Sequence, residues 1–527
     1  MPFLDRERTV AKPGFSRWLV PPAALAVHLS IGQVYAFSVF KIPLTRILGV
    51  AKPADGDWSQ PSLAWIFSLA IAFLGISAAV FGKWVERNGP RKTMAAAAAC
   101  FAGGFMIADL GVFLHQLWIV YLGYGVLGGC GLGLGYISPV STLVKWFPDR
   151  PGMATGMAIM GFGGGAFLGS NLSISLMDAF KSATSTGVAQ AFLFMGAIYF
   201  VFMVFGAVIV RVPAPGWTPA GFTAPAQGRA LITSANVALD QAWRTPQFWR
   251  LWIVLCFNVT AGIGILEQAS PMIQEMFPKV AGPSGEVLSK GIGAAAAGGF
   301  VALLSLFNMA GRFLWSSFSD YIGRKSVYVI YLLLGAVLYS LIPASGHMGS
   351  SVFFITLCAI ILSMYGGGFA TIPAYLKDLF GSMQVGAIHG RLLTAWSVAG
   401  VLGPVLVNYI REYLQGTGIK GVGLYSPTMY LMAGLLVVGL IANLGVRAVA
   451  ERFHAREGGG PDRPASQQAR VGEESEQTGA RQSRAFMNTT SEGASQTVRF
   501  ILYWSVVAIP LAWGIWKTAL KLPALFQ

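Results

Sequence analysis

The sequence predicts an all-α membrane protein, built from two pseudo-symmetric bundles of six helices and a thirteenth, C-terminal hydrophobic helix. Composition, twelve long apolar runs and one repeated charged segment support this fold class. The 527 residues are 54% hydrophobic and only 11% charged, with a mean hydropathy of +0.60, whereas a soluble domain carries about 25% charged residues. This composition excludes a water-soluble enzyme, a soluble nucleic-acid-binding protein and a disordered scaffold as descriptions of the whole chain.

The chain is basic, with 37 Lys and Arg against 22 Asp and Glu and a net charge of +15. The cations lie in short segments between apolar runs, so we expect anionic lipid headgroups of the bilayer, and not nucleic acid, as their partners. The four cysteines lie inside apolar runs without paired or metal-type spacing. We therefore expect no disulfide framework, no metal site and no cofactor.

A transmembrane helix needs about 20 mainly apolar residues to cross a hydrocarbon core about 30 Å thick. Twelve such runs precede residue 450, each too long and too uniformly apolar for a strand. The first is also too long for the hydrophobic region of a signal peptide. The runs are roughly 18–40, 62–83, 93–114, 116–140, 153–176, 190–210, 248–272, 293–316, 326–344, 350–374, 387–410 and 425–447.

Lys and Arg are distributed unequally between alternate loops. The loops on the side of the amino terminus hold 18, and those on the opposite side hold eight. Cytoplasmic loops carry the excess of positive charge, so both the amino terminus and the end of the twelfth helix are predicted to be cytoplasmic. We expect a multi-pass protein of the inner (plasma) membrane of the cell.

A charged segment after helix two repeats after helix eight. Positions 82 and 316, 86 and 320, and 89 and 323 match in type and are each 234 residues apart. Matching segments indicate a duplicated six-helix unit, the architecture of many secondary carriers. Plain positive-inside topology would explain one copy, but two matched copies favour segments whose contacts hold one conformation and break in another. The predicted gating residues are Gly82, Glu86, Gly89, Arg91, Lys92, Asp320, Gly323, Arg324 and Lys325.

The repeat and the changes in composition divide the chain into five parts. Residues 1–210 and 248–450 are the two bundles, joined by a cytoplasmic loop over 211–247. Residues 451–498 are rich in Gly, Ser, Gln, Glu and Arg, which predicts a disordered cytoplasmic linker. Residues 499–527 form the additional hydrophobic helix, which is only marginally long enough to span, so an interfacial position stays open.

Glycines are dense in the predicted helices four and five. The spacings Gly125/Gly129/Gly133 and Gly161/Gly165/Gly169 allow helix backbones to approach closely. A nucleotide-binding loop is not favoured, because no strand precedes either stretch and no P-loop lysine follows. Without an ATPase motif, transport would draw its energy from gradients. A membrane enzyme is the least expected class, because no cluster of His, Asp and Glu lies within the runs.

Arg312 lies inside the eighth predicted helix, several residues before Asp320. A cation within a membrane helix costs about 2.5–3.5 kcal/mol on insertion scales, so such residues usually face a cavity and have a function. Asn308 lies one turn earlier on the same face, and together they predict a fork of donors for a carboxylate. Snorkelling of Arg312 to the nearby interface is the alternative.

Other polar and aromatic pairs are weaker signals. His28 and Tyr35 share a face of helix one, and Tyr365 and Phe369 lie four residues apart in helix ten. The pair in helix ten is compatible with ordinary helix packing and with the wall of a cavity. His28 is equally compatible with a proton site and with a helix-helix hydrogen bond.

The paired charged segments resemble those of the major facilitator superfamily, and finer strings resemble its oxalate/formate antiporter family. The resemblance covers residues 15–450 and implies a major facilitator fold that carries small carboxylates, with the monomer as the functional unit. Residues 499–527 are similar to small single-span proteins that accompany some carriers of this family. The strings are 32–40 (GQVYAFSVF), 146–156 (WFPDRPGMATG), 244–249 (RTPQFW) and 306–312 (LFNMAGR).

In the oxalate carrier of this family, an arginine in helix eight and a lysine in helix eleven hold two carboxylates within an aromatic cage. By resemblance, Arg312 takes the place of the arginine, and Tyr35, Tyr365 and Phe369 take the places of the aromatic residues. The lysine position is occupied by Trp396. A dianion would then bring an unpaired charge into a buried site. We therefore expect a monocarboxylate such as formate, lactate or pyruvate, with Trp396 as an apolar wall.

The coupling mechanism has several alternatives. Related carriers that symport protons have an aspartate one turn before the helix-eight arginine, where this chain has Asn308. This difference favours exchange or facilitated transport, although His28 could still carry a proton. The alternatives are a proton-coupled monocarboxylate symporter, an oxalate/formate exchanger and a membrane sensor that binds an acid without transporting it.

Overall fold

The computed structural model describes residues 3–222, 231–233, 235–278, 280–281, 287–289, 291–455 and 490–520. Within them, thirteen helices are long and apolar enough to cross a membrane. This confirms the predicted all-α membrane fold. The transmembrane helices of the first half are α1 (Arg17–Ala36), α2 (Gln60–Asn88), α3 (Pro90–Phe113), α4 (Leu117–Trp146), α5 (Pro151–Phe180) and α6 (Val188–Ile209).

The second half repeats this arrangement, and one further helix follows it. These helices are α7 (Pro246–Met276), α8 (Ala294–Ile322), α9 (Arg324–His347), α10 (Ser351–Phe380), α11 (Val385–Gly416), α12 (Ser426–Leu444) and α13 (Thr490–Ala519). Short elements lie between them: helices Arg6–Thr9, Ser38–Leu44 and Leu239–Ala242, and the antiparallel strands β1 (Val280–Ala281) and β2 (Val287–Ser289).

Glycine forms the tight turn in both charged segments. Gly89 separates α2 from α3 with φ of 81°, and Gly323 separates α8 from α9 with φ of 88°. A residue with a Cβ atom is strained at such angles. The same turn at positions 234 apart supports the duplication predicted from the sequence.

Three transmembrane helices are irregular. The helix α1 becomes a 3-10 helix over Gly32–Ala36, and α4 is π-helical over Tyr121–Gly128. The helix α11 consists of Val385–Leu392 and Thr394–Gly416, separated at Leu393. Interrupted helices often line the binding site of a carrier. Here the irregular parts of α1 and α11 contain or adjoin Tyr35 and Trp396.

The glycine stripes serve close helix packing, as predicted. A Cβ atom at Gly133 would lie 2.2 Å from Ser77 Oγ on α2, and one at Gly165 would lie 2.4 Å from the Leu29 carbonyl on α1. The backbones of α4 and α5 therefore approach α2 and α1 so closely that larger residues would push them apart.

The two halves meet along two equivalent seams. In one, α2 packs against α11, and in the other, α8 packs against α5. Glycine again permits the approach: a Cβ atom at Gly82 would lie 2.8 Å from Ala387 Cα, and one at Gly152 would lie 2.2 Å from the Ser316 carbonyl. Because α2 corresponds to α8 and α5 corresponds to α11 in the two halves, the two seams are equivalent interfaces.

The helix α13 begins at Thr490, so residues 490–498, predicted as linker, are helical. This part of α13 is held to the first half, because Gln496 Nε2 donates to the Gly14 carbonyl at 2.8 Å. Further along, Val507 is buried against Leu25, Ala26 and Leu29 of α1. The remaining linker residues 456–489 lie outside the described residues.

Candidate functional site

Arg312 lies on α8 and is completely buried. Its Nε donates to Asn308 Oδ1 at 3.0 Å, and its Nη1 donates to the Ile159 carbonyl of α5 at 3.4 Å. Its Nη2 has no hydrogen-bond partner in the described part of the chain. Among the described side chains, no carboxylate forms an ion pair with it. Arg312 therefore points into the protein instead of snorkelling, and it carries a charge that an anion could neutralise.

Aromatic rings surround the guanidinium group. The Cζ atom of Arg312 lies 5.5 Å from the ring centre of Phe162 and 5.3 Å from that of Phe369, both within cation–π range. The buried Trp396 completes this wall, with its ring centre 4.4 Å from that of Phe369 and 5.3 Å from that of Phe162. The cation thus lies in a largely apolar cage.

A tyrosine pair connects the halves beside this cage. The hydroxyl groups of Tyr35 on α1 and Tyr365 on α10 are 3.1 Å apart and share a hydrogen bond. The Tyr35 ring lies 5.2 Å from Phe162, and the Tyr365 ring lies 5.2 Å from Phe369. The pair therefore adjoins the same aromatic wall.

The structure brings together all six residues predicted to bind substrate. They are Tyr35, Asn308, Arg312, Tyr365, Phe369 and Trp396. One detail differs from the expectation, because Asn308 uses its carbonyl oxygen to accept from Arg312 instead of forming a parallel fork of donors. The four-residue spacing on one helix face places the amide within reach of Nε, so Asn308 orients the guanidinium group.

The sequence interpretation missed Phe162, which forms part of the cage, and also Tyr136 and His389, which lie beside it. The Tyr136 ring lies 5.6 Å from Phe162 and 5.8 Å from His389. An aromatic residue in a membrane helix usually packs against its neighbours, so nothing in the sequence separated Phe162 and Tyr136 from the other aromatic side chains. His28 also adjoins this cluster, with its ring centre 5.3 Å from that of Tyr136.

The two charged segments lie at one end of the bundles, which we call the motif face. Here Glu86 Oε1 accepts the Gly386 N–H at 3.1 Å, and Asp320 accepts the N–H groups of Gly152 and Met153 at 2.9 and 2.8 Å. Gly152 and Gly386 are themselves 234 residues apart (386 − 152). In each contact, a carboxylate of one half caps a helix of the other half, so these bonds close the motif face.

The basic gating residues Arg91, Lys92 and Lys325 act within one half. Arg91 donates to the Ala207 and Val208 carbonyls at the end of α6, at 3.3 Å each. Lys325, at the position matched to Arg91 and 234 residues later, donates to the carbonyl of Leu444 at the end of α12 and to that of Val446 just beyond it, at 2.8 and 2.9 Å. Lys92 is exposed and donates to Asn88 at 3.2 Å. These contacts fix helix ends and do not join the halves.

Ion pairs surround the capping carboxylates. Lys145 lies 2.6 Å from Glu86, and Arg324 bridges Asp320 at 2.5 Å and Asp378 at 3.2 Å.

At the edge of this face, Lys83 lies 2.6 Å from Asp240, and its hydrogen bond holds the pKa of that carboxyl below its usual range. In the part of the chain that the structure describes, no group of three or more His, Cys, Asp or Glu could hold a metal ion.

Comparison with known proteins identifies the family of this chain. The sequence profile of the Major Facilitator Superfamily matches residues 23–279 and 279–526. An oxalate:formate antiporter from Oxalobacter formigenes is 26% identical over 389 residues, which cover 74% of this chain and 83% of that protein. Human monocarboxylate transporter 11 is 24% identical, covering 80% and 82%. The apicoplast pyruvate carrier 1 of Toxoplasma gondii is 24% identical, covering 69% and 78%.

Solved structures agree at the level of fold. The transporter FucP in its outward conformation superposes with a TM-score of 0.56 over 81% of this chain and 99% of that chain, at 15% identity. The human organic anion transporter MFSD10 also superposes with a TM-score of 0.56, over 82% and 100%, at 13% identity. With a profile that matches both halves and this shared fold, the chain belongs to the Major Facilitator Superfamily.

Proposed function

We propose that this protein transports small monocarboxylates across a membrane by alternating access, with Arg312 as the anion-binding residue. One observation supports this most strongly: Arg312 is fully buried, has a free Nη2 and lacks a counter-ion among the described side chains. Leaving a buried charge unpaired is unfavourable. A carboxylate would supply the missing charge and accept the free N–H group.

The charge of the cage favours a monocarboxylate over a dicarboxylate. The guanidinium group of Arg312 is surrounded by Trp396, Phe162 and Phe369. These rings supply apolar surface and no second cation. A dicarboxylate would leave one negative charge among these rings, whereas a monocarboxylate would be neutralised by Arg312 alone. The similar proteins named for oxalate and formate, for monocarboxylates and for pyruvate fit this substrate class.

The position of Asn308 favours exchange or facilitated transport over proton symport. Its neutral amide is the hydrogen-bond acceptor of Arg312 Nε at 3.0 Å, so binding of the anion there requires no proton transfer. A proton-coupled symporter, an oxalate/formate exchanger and a non-transporting acid sensor are the alternatives that flux measurements distinguish.

Alternating access would work by rocking one half against the other. The bonds from Gly386 to Glu86 and from Gly152 to Asp320 close the motif face, so they would break when that face opens. The excess of Lys and Arg in the loops of this face supports a cytoplasmic position for it and for the amino terminus. We further propose that the protein lies in the inner (plasma) membrane and works as a monomer.

Counterflow in proteoliposomes tests the proposal. Vesicles loaded with unlabelled formate, lactate or pyruvate should accumulate the labelled acid, and Arg312→Ala should abolish this uptake. The exposed Arg452 offers a matched control, since Arg452→Ala removes a cation far from the cage and should leave uptake unchanged. Uptake that persists in Arg312→Ala would contradict the role of this residue. Binding without flux would favour the sensor.

A further inference from the structure

Two histidines that the proposed transport site does not use are buried in the centre of the protein. His28 lies on α1 in the first half, and His389 lies on α11 in the second half. Their exposed fractions are 0% and 1%. Among the residues that the structure describes, none of their four ring nitrogens has a partner at hydrogen-bonding distance and angle. An imidazole offers polar atoms at both nitrogens, so both side chains have unused capacity to bind a polar group.

Tyr136 lies between the two histidines. Its ring centre is 5.3 Å from that of His28 and 5.8 Å from that of His389. Tyr136 is completely buried, and its hydroxyl group also has no hydrogen-bond partner within the described ranges. Buried polar groups are usually satisfied, so three adjacent unsatisfied side chains indicate a place for a polar group that is not part of the chain.

This cluster adjoins the cage of Arg312. The Tyr136 ring packs against two of the cage walls, 5.6 Å from Phe162 and 5.3 Å from Trp396. The buried hydroxyl group of Tyr124 on the same helix also lacks a partner among the described residues. Its neighbours, however, are the apolar rings of Phe37, Phe105 and Phe192. Within the described part of the chain, only the group around Tyr136 combines the unpartnered hydroxyl with imidazoles and with the proposed anion site.

The geometry points to a neutral polar subsite, formed by His28, Tyr136 and His389, that hydrogen-bonds an uncharged oxygen of the substrate. This inference rests on the proposed transport of monocarboxylates and narrows the substrate to acids that carry a hydroxyl or keto group beyond the carboxylate. Arg312 binds the carboxylate, and the subsite binds the second oxygen. A hydroxyl group can donate to an imidazole nitrogen and accept from the tyrosine, whereas a keto oxygen accepts from both.

Substrate binding at the subsite would also join the two halves of the protein, which move during transport. His28 and Tyr136 belong to the first half, and His389 belongs to the second. A substrate oxygen bound among them would hold α1 and α4 to α11 through its hydrogen bonds. An unsubstituted acid would leave these groups unsatisfied, and a site with unpaired buried polar groups discriminates strongly against the ligand that lacks the partner.

Matched pairs of acids test this inference. Glycolate and acetate differ by one hydroxyl group, as do lactate and propionate, and the KM of each acid is measured by counterflow. The wild-type protein should prefer the hydroxy acid of each pair by about tenfold or more. Tyr136→Phe should reduce the ratio of KM values within each pair to about one third or less of its wild-type value, while the KM of the unsubstituted acid changes by less than about twofold. The control Tyr124→Phe removes an equally buried hydroxyl group from the same helix and should preserve the preference.

His28→Phe and His389→Phe, which keep an aromatic ring, provide independent tests of the same prediction. Each should raise the KM of the hydroxy acid selectively. Equal KM values within each pair for the wild-type protein would overturn the subsite. A loss that affects both acids of a pair equally in every variant would also overturn it, because that result indicates structural water in place of the substrate oxygen. Failure to transport any of these acids, and formate and pyruvate as well, would instead contradict the proposed function.

Discussion

Glu86 Oε1 accepts the backbone N–H of Gly386 at 3.1 Å across the interface between the halves. The same contact recurs between Asp320 and Gly152 at 2.9 Å. Each carboxylate lies at the N-terminus of a helix from the other half, where free N–H groups and the helix dipole favour negative charge. Two equivalent contacts therefore hold the motif face closed.

Removing these negative charges should open the motif face. Glu86→Gln and Asp320→Asn each weaken a charge-assisted bond worth about 1.5–3 kcal/mol, so each should raise the open population about tenfold or more. Asp320 accepts two N–H groups, so its variant should have the larger effect. Spin labels at Lys92→Cys and Met383→Cys, with the four native cysteines replaced, would report the distance between the halves.

Asp149→Asn is the control for this measurement. Asp149 pairs with Arg17 at 2.7 Å, and both residues belong to the first half. This variant should leave the distance distribution unchanged, because the pair does not cross the interface. Distributions that are identical for the wild-type protein and the variants at Glu86 and Asp320 would show that other contacts close this face.

The sequence was sufficient to predict the helical runs and the duplication. Long apolar runs have few alternatives in a membrane, since the backbone must satisfy its own hydrogen bonds. The 234-residue repeat located Glu86 and Asp320, but not their partners. Gly152 and Gly386 follow the same repeat, yet a glycine at the start of a membrane helix gives no sign that its N–H binds a carboxylate from the other half.

The sequence predicted only part of the candidate site, because only some of its residues differ from ordinary residues of a membrane helix. Arg312 was recognisable because a cation in a membrane helix is unfavourable without a partner. Phe162 and Tyr136 carry no such penalty and resemble ordinary packing residues. His389 lies just before Leu393, where α11 is interrupted, and a continuous apolar run does not reveal that interruption.

Trp396→Lys should extend transport to oxalate. The Trp396 ring lies 4.4 Å from Phe369, which itself contacts Arg312, so a lysine there would place a second cation in the cage. A dianion would then be neutralised by two cations, and oxalate uptake should rise about tenfold or more above the wild-type protein while lactate uptake falls. Counterflow with both acids measures this change.

Trp396→Phe is the matched control, because it keeps an apolar wall and adds no charge. Oxalate uptake by Trp396→Phe would indicate that the size of the tryptophan ring, and not the lack of a second cation, excludes the dianion from the wild-type cage. Oxalate transport by the wild-type protein at the rate of lactate would contradict the charge argument altogether.

The docking of α13 depends on Gly514. A Cβ atom there would lie 2.6 Å from both Phe167 and Leu168 of α5, so Gly514→Leu should displace this helix. Leu511 and Met309 both lie near Gly164, at 3.2 and 3.0 Å from a Cβ atom at that position. A bifunctional thiol cross-linker should therefore be able to join Leu511→Cys to Met309→Cys in a background without native cysteines.

The rate of this cross-link measures the docking. Adding Gly514→Leu should slow its formation, because Phe167 and Leu168 occupy the space that the larger side chain needs. Ile509→Leu is the control, because Ile509 is 68% exposed on the same helix. An unchanged rate in Gly514→Leu would mean that Phe167 and Leu168 move aside and that the close approach is not required.

Asn308→Asp should weaken substrate binding. The introduced carboxylate would replace the amide oxygen that lies 3.0 Å from Arg312 Nε and would compete with the substrate for the guanidinium group. The KM for lactate should rise about tenfold or more near neutral pH, since a hydrogen bond to a charged group contributes about 1.5–3 kcal/mol. In contrast, Asn308→Leu removes the acceptor without adding a negative charge, so its KM for lactate should rise less than that of Asn308→Asp. An unchanged KM in Asn308→Asp would mean that Arg312 does not bind the carboxylate of the substrate.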